Sequence, residues 1–252
     1  ESHGGTDLPA LRTYAKKDGD SYILNGEKMW ITSAPVADFF TVFAKVEKPD
    51  AKEMSVFLLE KGTPGFQLGK NIKKMGLKAS LTSELFFDNC RIPARNLLGE
   101  EGKGIEYLNE ILLEIRVMTG ALAVGVAQAA FESAVEYSKQ REAFGKPIGK
   151  FQAIQMKLAD MAVLLEASRI LVYQAAWRSD QKLPNMKEAS IAKLIASEAA
   201  VKICDEACRI FGGYGYAKEY PVERYFRDAR FTLIGGGTSE ILKMIIAREI
   251  SR

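Results

Sequence analysis

The sequence predicts an α+β protein in which a small antiparallel β sandwich or barrel is followed by a four-helix bundle. Up to about Pro93, short runs rich in β-branched and aromatic residues alternate with clusters of turn-forming residues, as is typical of antiparallel strands. After Gly102, apolar residues recur every three or four positions, which is the period of amphipathic helices. With 252 residues, 47 % of them hydrophobic, the chain can bury the core of one or two domains.

The first half contains the predicted strands. Strands at 13–15 and 22–24 flank an Asp18-Gly19-Asp20 turn, and the Asn25-Gly26 pair that follows predicts another hairpin turn. Further strands are predicted in the apolar runs at 39–46, 54–59 and 84–88, because clusters of Gly, Pro, Asp and Lys separate them.

The second half contains the predicted helices. Three long helices are expected at 107–138, 151–179 and 187–211, and a short one at 239–250. Glycine or proline interrupts the pattern after each long helix, which is how helices commonly end. These helices are enough for a bundle.

Charge and cysteine content exclude several classes of function. The 35 Lys and Arg nearly balance the 32 Asp and Glu and are scattered, which argues against a nucleic-acid partner. No run reaches the roughly 18 apolar residues of a membrane span. Cys90, Cys204 and Cys208 lie far from the one histidine, His3, so buried small hydrophobes are favoured over a metal site, and no metal is predicted.

A glycine run at the start of the last helix is the first candidate site. Gly235, Gly236 and Gly237 precede Thr238, a residue suited to cap the helix. Helix N-termini attract anions and electron-rich groups, and glycine lets a ligand approach the backbone. A flexible turn with a good cap is the alternative.

Two further segments carry ligand-binding residue types. Trp30 and Thr32 lie at the end of a strand, where a core tryptophan is the alternative. Arg141, Phe144 and Gln152 lie near a helix–helix turn, where a guanidinium can hold a phosphate and an aromatic ring can stack on a base. A solvated loop is the alternative for this second segment.

Together these segments resemble the acyl-CoA dehydrogenase family over nearly the whole chain. Glu1-Ser2-His3-Gly4-Gly5-Thr6-Asp7 resembles that family's Glu-Pro-Gly-x-Gly-Ser-Asp loop, and Lys28-Met29-Trp30-Ile31-Thr32 resembles its Lys-x-Trp-Ile-Thr strand. The segments that are similar to its C-terminal signature are 141–148, Gln152, 209–215, 220–224 and 227–229.

The resemblance implies an organisation and a biochemical context. It implies a middle β domain at 1–98, a C-terminal helical domain at 99–252, and a fragment that lacks the family's N-terminal helical domain. It further implies FAD as cofactor, an acyl-CoA thioester as substrate, an electron-transferring flavoprotein as electron acceptor, and a homotetramer built as a dimer of dimers. The compartment would be the cytoplasm of a prokaryote or the mitochondrial matrix of a eukaryote.

The resemblance also implies roles for individual residues. Arg209 departs from the glutamine often found at its position. The implied flavin-binding residues are Trp30, Ile31 and Thr32 at the isoalloxazine ring, Arg141, Phe144, Gln152, Arg209, Gly212 and Gly213 at the diphosphate and adenine half, and Thr238 and Glu240 beside the flavin. The implied substrate-binding residues are Thr6, Arg116 and Gly237.

The family's catalytic base is missing from both of its usual positions. The reaction removes an α proton while the β hydrogen leaves as hydride, so a carboxylate is needed, but the commonest position is Gly236. Its backbone N–H remains available to polarise the thioester carbonyl. Other members place the acid directly before an arginine, here Arg116, where this chain has Ile115. Glu114, about 100° further around the helix, is the candidate base, a surface glutamate is the alternative, and Glu110 is a weaker candidate.

Three functions therefore remain open. The leading one is an acyl-CoA dehydrogenase that forms a trans-2-enoyl-CoA. The second is a flavin-dependent monooxygenase, or a thioester enzyme that cleaves a different bond such as C–S. The third is a non-catalytic scaffold that binds flavin or CoA esters.

Overall fold

The computed structural model describes residues 1–47 and 52–251, which form two compact units. The first, called the β unit, comprises Glu1–Lys74 and Lys78–Glu110, and the second, called the helical unit, comprises Met75–Leu77 and Ile111–Arg252. The predicted α+β class, with a sheet followed by a helical bundle, is confirmed.

The β unit is built on one seven-stranded sheet with the order β5-β6-β2-β1-β3-β4-β7. Its strands are β1 (Tyr14–Asp18), β2 (Ser21–Thr32), β3 (Phe39–Glu47), β4 (Lys52–Glu60), β5 (Phe66–Asn71), β6 (Thr82–Pro93) and β7 (Leu97–Leu98). All neighbours are antiparallel except β1 and β3. Both edges of β2 are occupied, by β1 and β6, so β3 pairs with the remaining edge of β1. This one pair is parallel, and the sheet is therefore mixed.

Alternate residues of the strands form the core of this unit. In β3, Phe40, Val42 and Ala44 are buried while their neighbours are more exposed, as the period of two in a strand requires. The ring of Phe66 lies 4.9 Å from that of Phe40 and 5.5 Å from that of Phe87, measured between centroids. These contacts fix the register, because a slip of one residue would expose the whole row.

The hairpin turn predicted at Asn25-Gly26 is wrong, because β2 continues through both residues. The turn between β1 and β2 follows Asp18, and β2 instead carries a bulge between Leu24 and Gly26. Gly26 has φ +137°, and a Cβ there would lie 2.7 Å from the Cα of Thr13. The close approach of the neighbouring backbone therefore requires glycine at position 26. From the Asn-Gly pair alone, a glycine required for this reason cannot be distinguished from a glycine required by a turn.

The helical unit contains the four expected helices and one more. The helices are α1 (Gly104–Gln140, whose first residues belong to the β unit), α2 (Gln152–Asp180), α3 (Met186–Phe211), α4 (Val222–Thr232) and α5 (Ser239–Ile250). The prediction missed α4, because only Val222, Ala229 and Thr232 are buried in its charged sequence. A small hairpin of β8 (Glu142–Ala143) and β9 (Lys146–Pro147) precedes α2. No helix in the described ranges is long and apolar enough to cross a membrane.

The cysteines are packing residues, as predicted for small hydrophobes. Cys90 and Cys204 are fully buried, and Cys208 is partly buried. Burial raises the pKa of the Cys90 thiol to about 11 and that of the Cys204 thiol to about 12. Both thiols are thus protonated and unreactive at neutral pH.

Candidate active site

The end of β2 presents an aromatic ring to the surface. The register of β2 and β6 shifts between Lys28 and Ile31, and Trp30 has φ +64°, a region that residues other than glycine rarely occupy. Its side chain is 60 % exposed. Trp30 is therefore not a core residue, and its strained backbone is typical of a functional site.

A cavity of 460 Å³ lies beside this strand end, within the β unit. Ile31 and Thr32 line it, together with Gly5 and Asp7 of the first loop. Thr6, the predicted substrate-binding residue between them, is exposed. The structure thus brings the first loop and the Trp-Ile-Thr strand to one place.

Glu1 anchors the first loop to the sheet. Its carboxylate accepts hydrogen bonds from Lys28 Nζ at 2.8 Å, from Arg12 N at 2.7 Å and from Thr13 Oγ1 at 2.7 Å. Burial alone would raise the pKa of the Glu1 carboxyl, but these hydrogen bonds outweigh it and lower that pKa to about 2. Glu1 is therefore ionised at neutral pH and holds the loop beside β2.

The glycine run forms a left-handed turn before α5. Gly236 has φ +70° and Gly237 has φ +104°. The predicted cap at Thr238 is confirmed, because its Oγ1 accepts a hydrogen bond from Ile241 N at 3.4 Å. Glu240, in the first turn of the helix, is exposed. The N–H groups at this helix start are the feature that can bind an electron-rich oxygen.

Gly236 packs directly against α1. A Cβ at Gly236 would lie 2.9 Å from Thr119 Oγ1 and 3.2 Å from Ile115 Cγ2. Positions 236 and 115, where the resemblance led us to expect an acid, are therefore adjacent in space. Neither supplies a carboxylate here, and Glu114, one position before Ile115, is exposed.

Two buried cations lie in the same region of the helical unit. Arg116 is 5 % exposed and Lys193 is fully buried. Lys193 Nζ donates to the carbonyl oxygen of Gly237 at 2.7 Å. Burial lowers the pKa of both groups, to about 8 for Lys193.

Neither cation has an acidic side chain within 4.0 Å among residues 1–47 and 52–251. Arg116 donates from Nη1 to the thioether sulfur of Met186 at 2.7 Å, and its Nε is buried without a hydrogen-bond partner. A buried donor left unpaired is costly, so this side chain is equipped for an acceptor that the described residues do not provide.

Lys193 was not singled out from the sequence, although a signal was present. It lies in α3 between Ala189 and Ala196, four residues after the first and three before the second. A lysine at that spacing lies on the apolar stripe of the helix, where lysine is rarely buried without a special partner.

A second group of predicted residues surrounds a cavity of 490 Å³ in the helical unit. Arg141, Gly212 and Gly213 line it, and the Arg141 guanidinium carbon is 5.7 Å from the ring centre of Tyr214. Gly212 has φ +61°, and no atom lies within 4 Å of a Cβ built at either glycine. A ligand can therefore reach the backbone here beside a cation.

The remaining predicted flavin-binding residues are not part of either cavity. Phe144 is 96 % exposed in the β8–β9 hairpin, with φ +52°. Gln152 is exposed at the start of α2. Arg209 is also exposed and forms an ion pair with Asp205 at 2.7 Å. All three are open to a molecule that approaches from outside the chain.

Family models match both parts of the chain. Residues 1–90 match the model described as "Acyl-CoA dehydrogenase, middle domain". Residues 102–251 match "Acyl-CoA dehydrogenase, C-terminal domain".

Known proteins match the chain over its whole length. It is 56 % identical over 252 residues to a benzylmalonyl-CoA dehydrogenase of Aromatoleum aromaticum, covering 100 % of this chain and 66 % of that protein. It is 46 % identical to a short-chain specific acyl-CoA dehydrogenase of Megasphaera elsdenii, again covering 100 % and 66 %. The solved structure of butyryl-CoA dehydrogenase from Megasphaera elsdenii superposes with a TM-score of 0.97 at 46 % identity, covering 100 % and 66 %. The chain thus spans slightly less than two thirds of each of these proteins.

Proposed function

Because the chain belongs to the acyl-CoA dehydrogenase family, we propose that it contributes the middle and C-terminal domains of an FAD-dependent enzyme that oxidises an acyl-CoA thioester to a trans-2-enoyl-CoA. The proposed domain boundary lies between residues 98 and 99. The geometric observation that carries the proposal is the glycine turn at the capped start of α5, packed on α1.

The residues present fit FAD, which when bound supplies the acceptor for a substrate hydride. Within the β unit, the exposed Trp30 and the cavity-lining Ile31 and Thr32 would contact the ring system. Within the helical unit, the open space beside Gly212 and Gly213 suits a diphosphate. The other residues proposed to contact FAD are Arg141, Phe144, Gln152, Arg209, Thr238 and Glu240.

The glycine turn would hold the substrate carbonyl. The N–H of Gly236 donates no hydrogen bond within the described ranges, and it lies two residues before Thr238, the N-cap of α5, near the positive end of the helix dipole. An N–H placed in this way stabilises the oxyanion of an enolised thioester. Gly237, Arg116 and Thr6 stay proposed substrate-binding residues.

The enzyme would act on a small acyl group in the class of its relatives. Those relatives are named for benzylmalonyl-CoA and for short-chain acyl-CoA. Anaerobic addition of a series of acyl-CoA thioesters to the flavin-loaded protein tests the proposal, because the oxidised flavin absorbance should bleach with the correct substrate. Bound flavin that no thioester reduces would contradict dehydrogenation and favour an oxygenase or a scaffold.

Glu114 remains the proposed base for an unactivated acyl-CoA. If it acts as base, Glu114→Gln should lower turnover about 10²–10⁴-fold, while Glu132→Gln, a matched change at an exposed position further along the same helix, should leave turnover unchanged. Unchanged turnover in Glu114→Gln would remove this assignment.

The proposed context follows the family. Electrons would pass to an electron-transferring flavoprotein, and the protein would assemble as a homotetramer. Its relatives include bacterial and mammalian mitochondrial proteins, so the proposed compartment is the prokaryotic cytoplasm or the mitochondrial matrix.

A further inference from the structure

The region around Gly236 contains two buried cations that have no acidic side chain within ion-pair distance among the described residues. Arg116 follows Ile115 on α1, and Ile115 is in contact range of Gly236. Lys193 reaches the carbonyl of the next residue, Gly237. A negative charge placed close to a buried cation compensates that cation's charge. Within the described ranges, no carboxylate lies within ion-pair distance of Arg116 or Lys193.

Both cations have unused donors. An ammonium has three N–H donors and a guanidinium has five. Lys193 uses one of its donors on Gly237, while Arg116 has one contact to a weakly accepting thioether and a buried Nε with no partner. A carboxylate is the acceptor that matches a guanidinium best.

The turn itself is adapted to glycine. An L residue at position 236 would adopt an unfavourable left-handed conformation, and its Cβ would collide with Thr119 Oγ1. A glutamate side chain therefore does not fit this backbone without displacing α1 side chains. A carboxylate on the ligand can supply a negative charge within reach of these cations.

We propose that the substrate is a 2-carboxyacyl thioester, a malonyl-type ester, whose 2-carboxylate binds Arg116 and Lys193 and whose loss as carbon dioxide replaces removal of the α proton. This inference rests on the proposed function and names its substrate class.

The reaction needs no base. The bond between the α carbon and the carboxylate carbon breaks, carbon dioxide leaves, and the electron pair remains on the α carbon as the thioester enolate. The two cations stay beside the enolate, so their attraction is retained in the transition state, and the Gly236 N–H stabilises the enolate oxygen. Bound FAD would supply the two-electron oxidant, which accepts the β hydrogen as hydride. One thioester gives one enoyl thioester, one carbon dioxide and one reduced flavin.

The first test compares matched pairs of thioesters on the flavin-loaded protein without oxygen. Each pair is an acyl-CoA and its 2-carboxy derivative, such as butyryl-CoA and ethylmalonyl-CoA, with straight, branched and aryl-substituted groups. We expect a 2-carboxy ester to bleach the flavin with one labelled carbon dioxide released per flavin, while its partner neither bleaches the flavin nor exchanges α hydrogens with D₂O.

The second test measures binding without turnover. Malonyl-CoA and acetyl-CoA have no β hydrogen and cannot be oxidised, and their dissociation constants, measured by rapid mixing before malonyl-CoA can lose carbon dioxide, compare binding with and without the carboxylate. We expect malonyl-CoA to bind at least about 10-fold more tightly, since a charge-assisted hydrogen bond contributes about 1.5–3 kcal/mol. Lys193→Met should abolish this preference, and Lys187→Met, a matched change on the surface of the same helix, should keep it.

The outcomes separate this inference from the proposed function. Reduction by a plain acyl-CoA, with no preference for malonyl-CoA, overturns the inference and leaves the dehydrogenase intact. Reduction by neither member of any pair overturns both. If Lys193→Met does not fold, the binding ratio and the carbon dioxide stoichiometry of the unmodified protein still decide the question.

Discussion

Lys193 should make the stability of this protein depend on pH in an unusual direction. Its pKa is lowered from 10.5 to about 8, first by burial and also by the charge of Arg116, while Glu198 and Glu240 act in the opposite direction. Below pH 8 the amine is charged in both the folded and the unfolded chain, and its burial costs free energy. As pH rises, the folded chain loses this proton before the unfolded chain does, so the cost falls and the protein gains stability.

The magnitude follows from the two pKa values. The fall of the Lys193 pKa from 10.5 to about 8 corresponds to a cost of about 3 kcal/mol below pH 8, because a tenfold change in a proton-binding constant corresponds to about 1.4 kcal/mol. At pH 9.5 the unfolded amine is still mostly protonated, and a cost of about 1.4 kcal/mol remains. Between pH 7 and pH 9.5 the contribution of Lys193 should therefore improve by about 2 kcal/mol.

Lys193→Met isolates this contribution from that of other groups. Methionine keeps much of the apolar volume, removes the titrating charge and gives up one hydrogen bond, whose loss costs about 1 kcal/mol at every pH. The assay is urea unfolding of both proteins from pH 7 to pH 9.5 at constant ionic strength and flavin saturation. The free energy of unfolding of the unmodified protein should rise relative to the variant by about 2 kcal/mol. A difference that stays constant over this range would refute the idea that Lys193 is charged and buried at neutral pH.

Two further changes test other parts of the structure. Gly26→Ala should lower the free energy of unfolding by about 2–3 kcal/mol in urea denaturation. The reason is that the new Cβ would lie 2.7 Å from the Cα of Thr13. Gly19→Ala, also left-handed but in open space, should cost only about 1 kcal/mol, and equal losses would contradict the close-approach explanation. Arg141→Ala should increase the dissociation constant for FAD, measured by flavin fluorescence, by about 10-fold or more, since charge-assisted hydrogen bonds contribute about 1.5–3 kcal/mol. Lys139→Ala, which removes an exposed positive charge two residues before Arg141, is the control. Equal FAD affinity in both variants would argue against a contact between Arg141 and the diphosphate.

The positions of helices and strands were largely readable because their signal is local. Periods of two and of three to four residues mark which side chains face a core, and the helix at 239–250 was placed to the residue. Where the local signal was ambiguous the prediction failed. The Asn25-Gly26 pair has the composition of a turn, and α4 has too few apolar residues to show a helical period.

The candidate site was readable only as separate segments. Trp30, the glycine run and Arg141 were identified by residue type and order, and two cavities bring some of their neighbours together. The burial of Lys193 was missed, because lysine in a helix is usually on its solvated face. Its burial is set by α1, whose Gly120 packs against α3 closely enough that a Cβ would lie 3.6 Å from the Lys193 Cα.

By itself, the sequence determined the class of the fold, the family and the presence of glycine at position 236, because each of these depends on residue type and order along the chain. Only the tertiary structure decided that Ile115 and Gly236 are adjacent and that Arg116 and Lys193 are buried in the same unit without an acid partner in its described part. The physical reason is that charge and burial depend on distances in space, and helices far apart in the sequence set those distances.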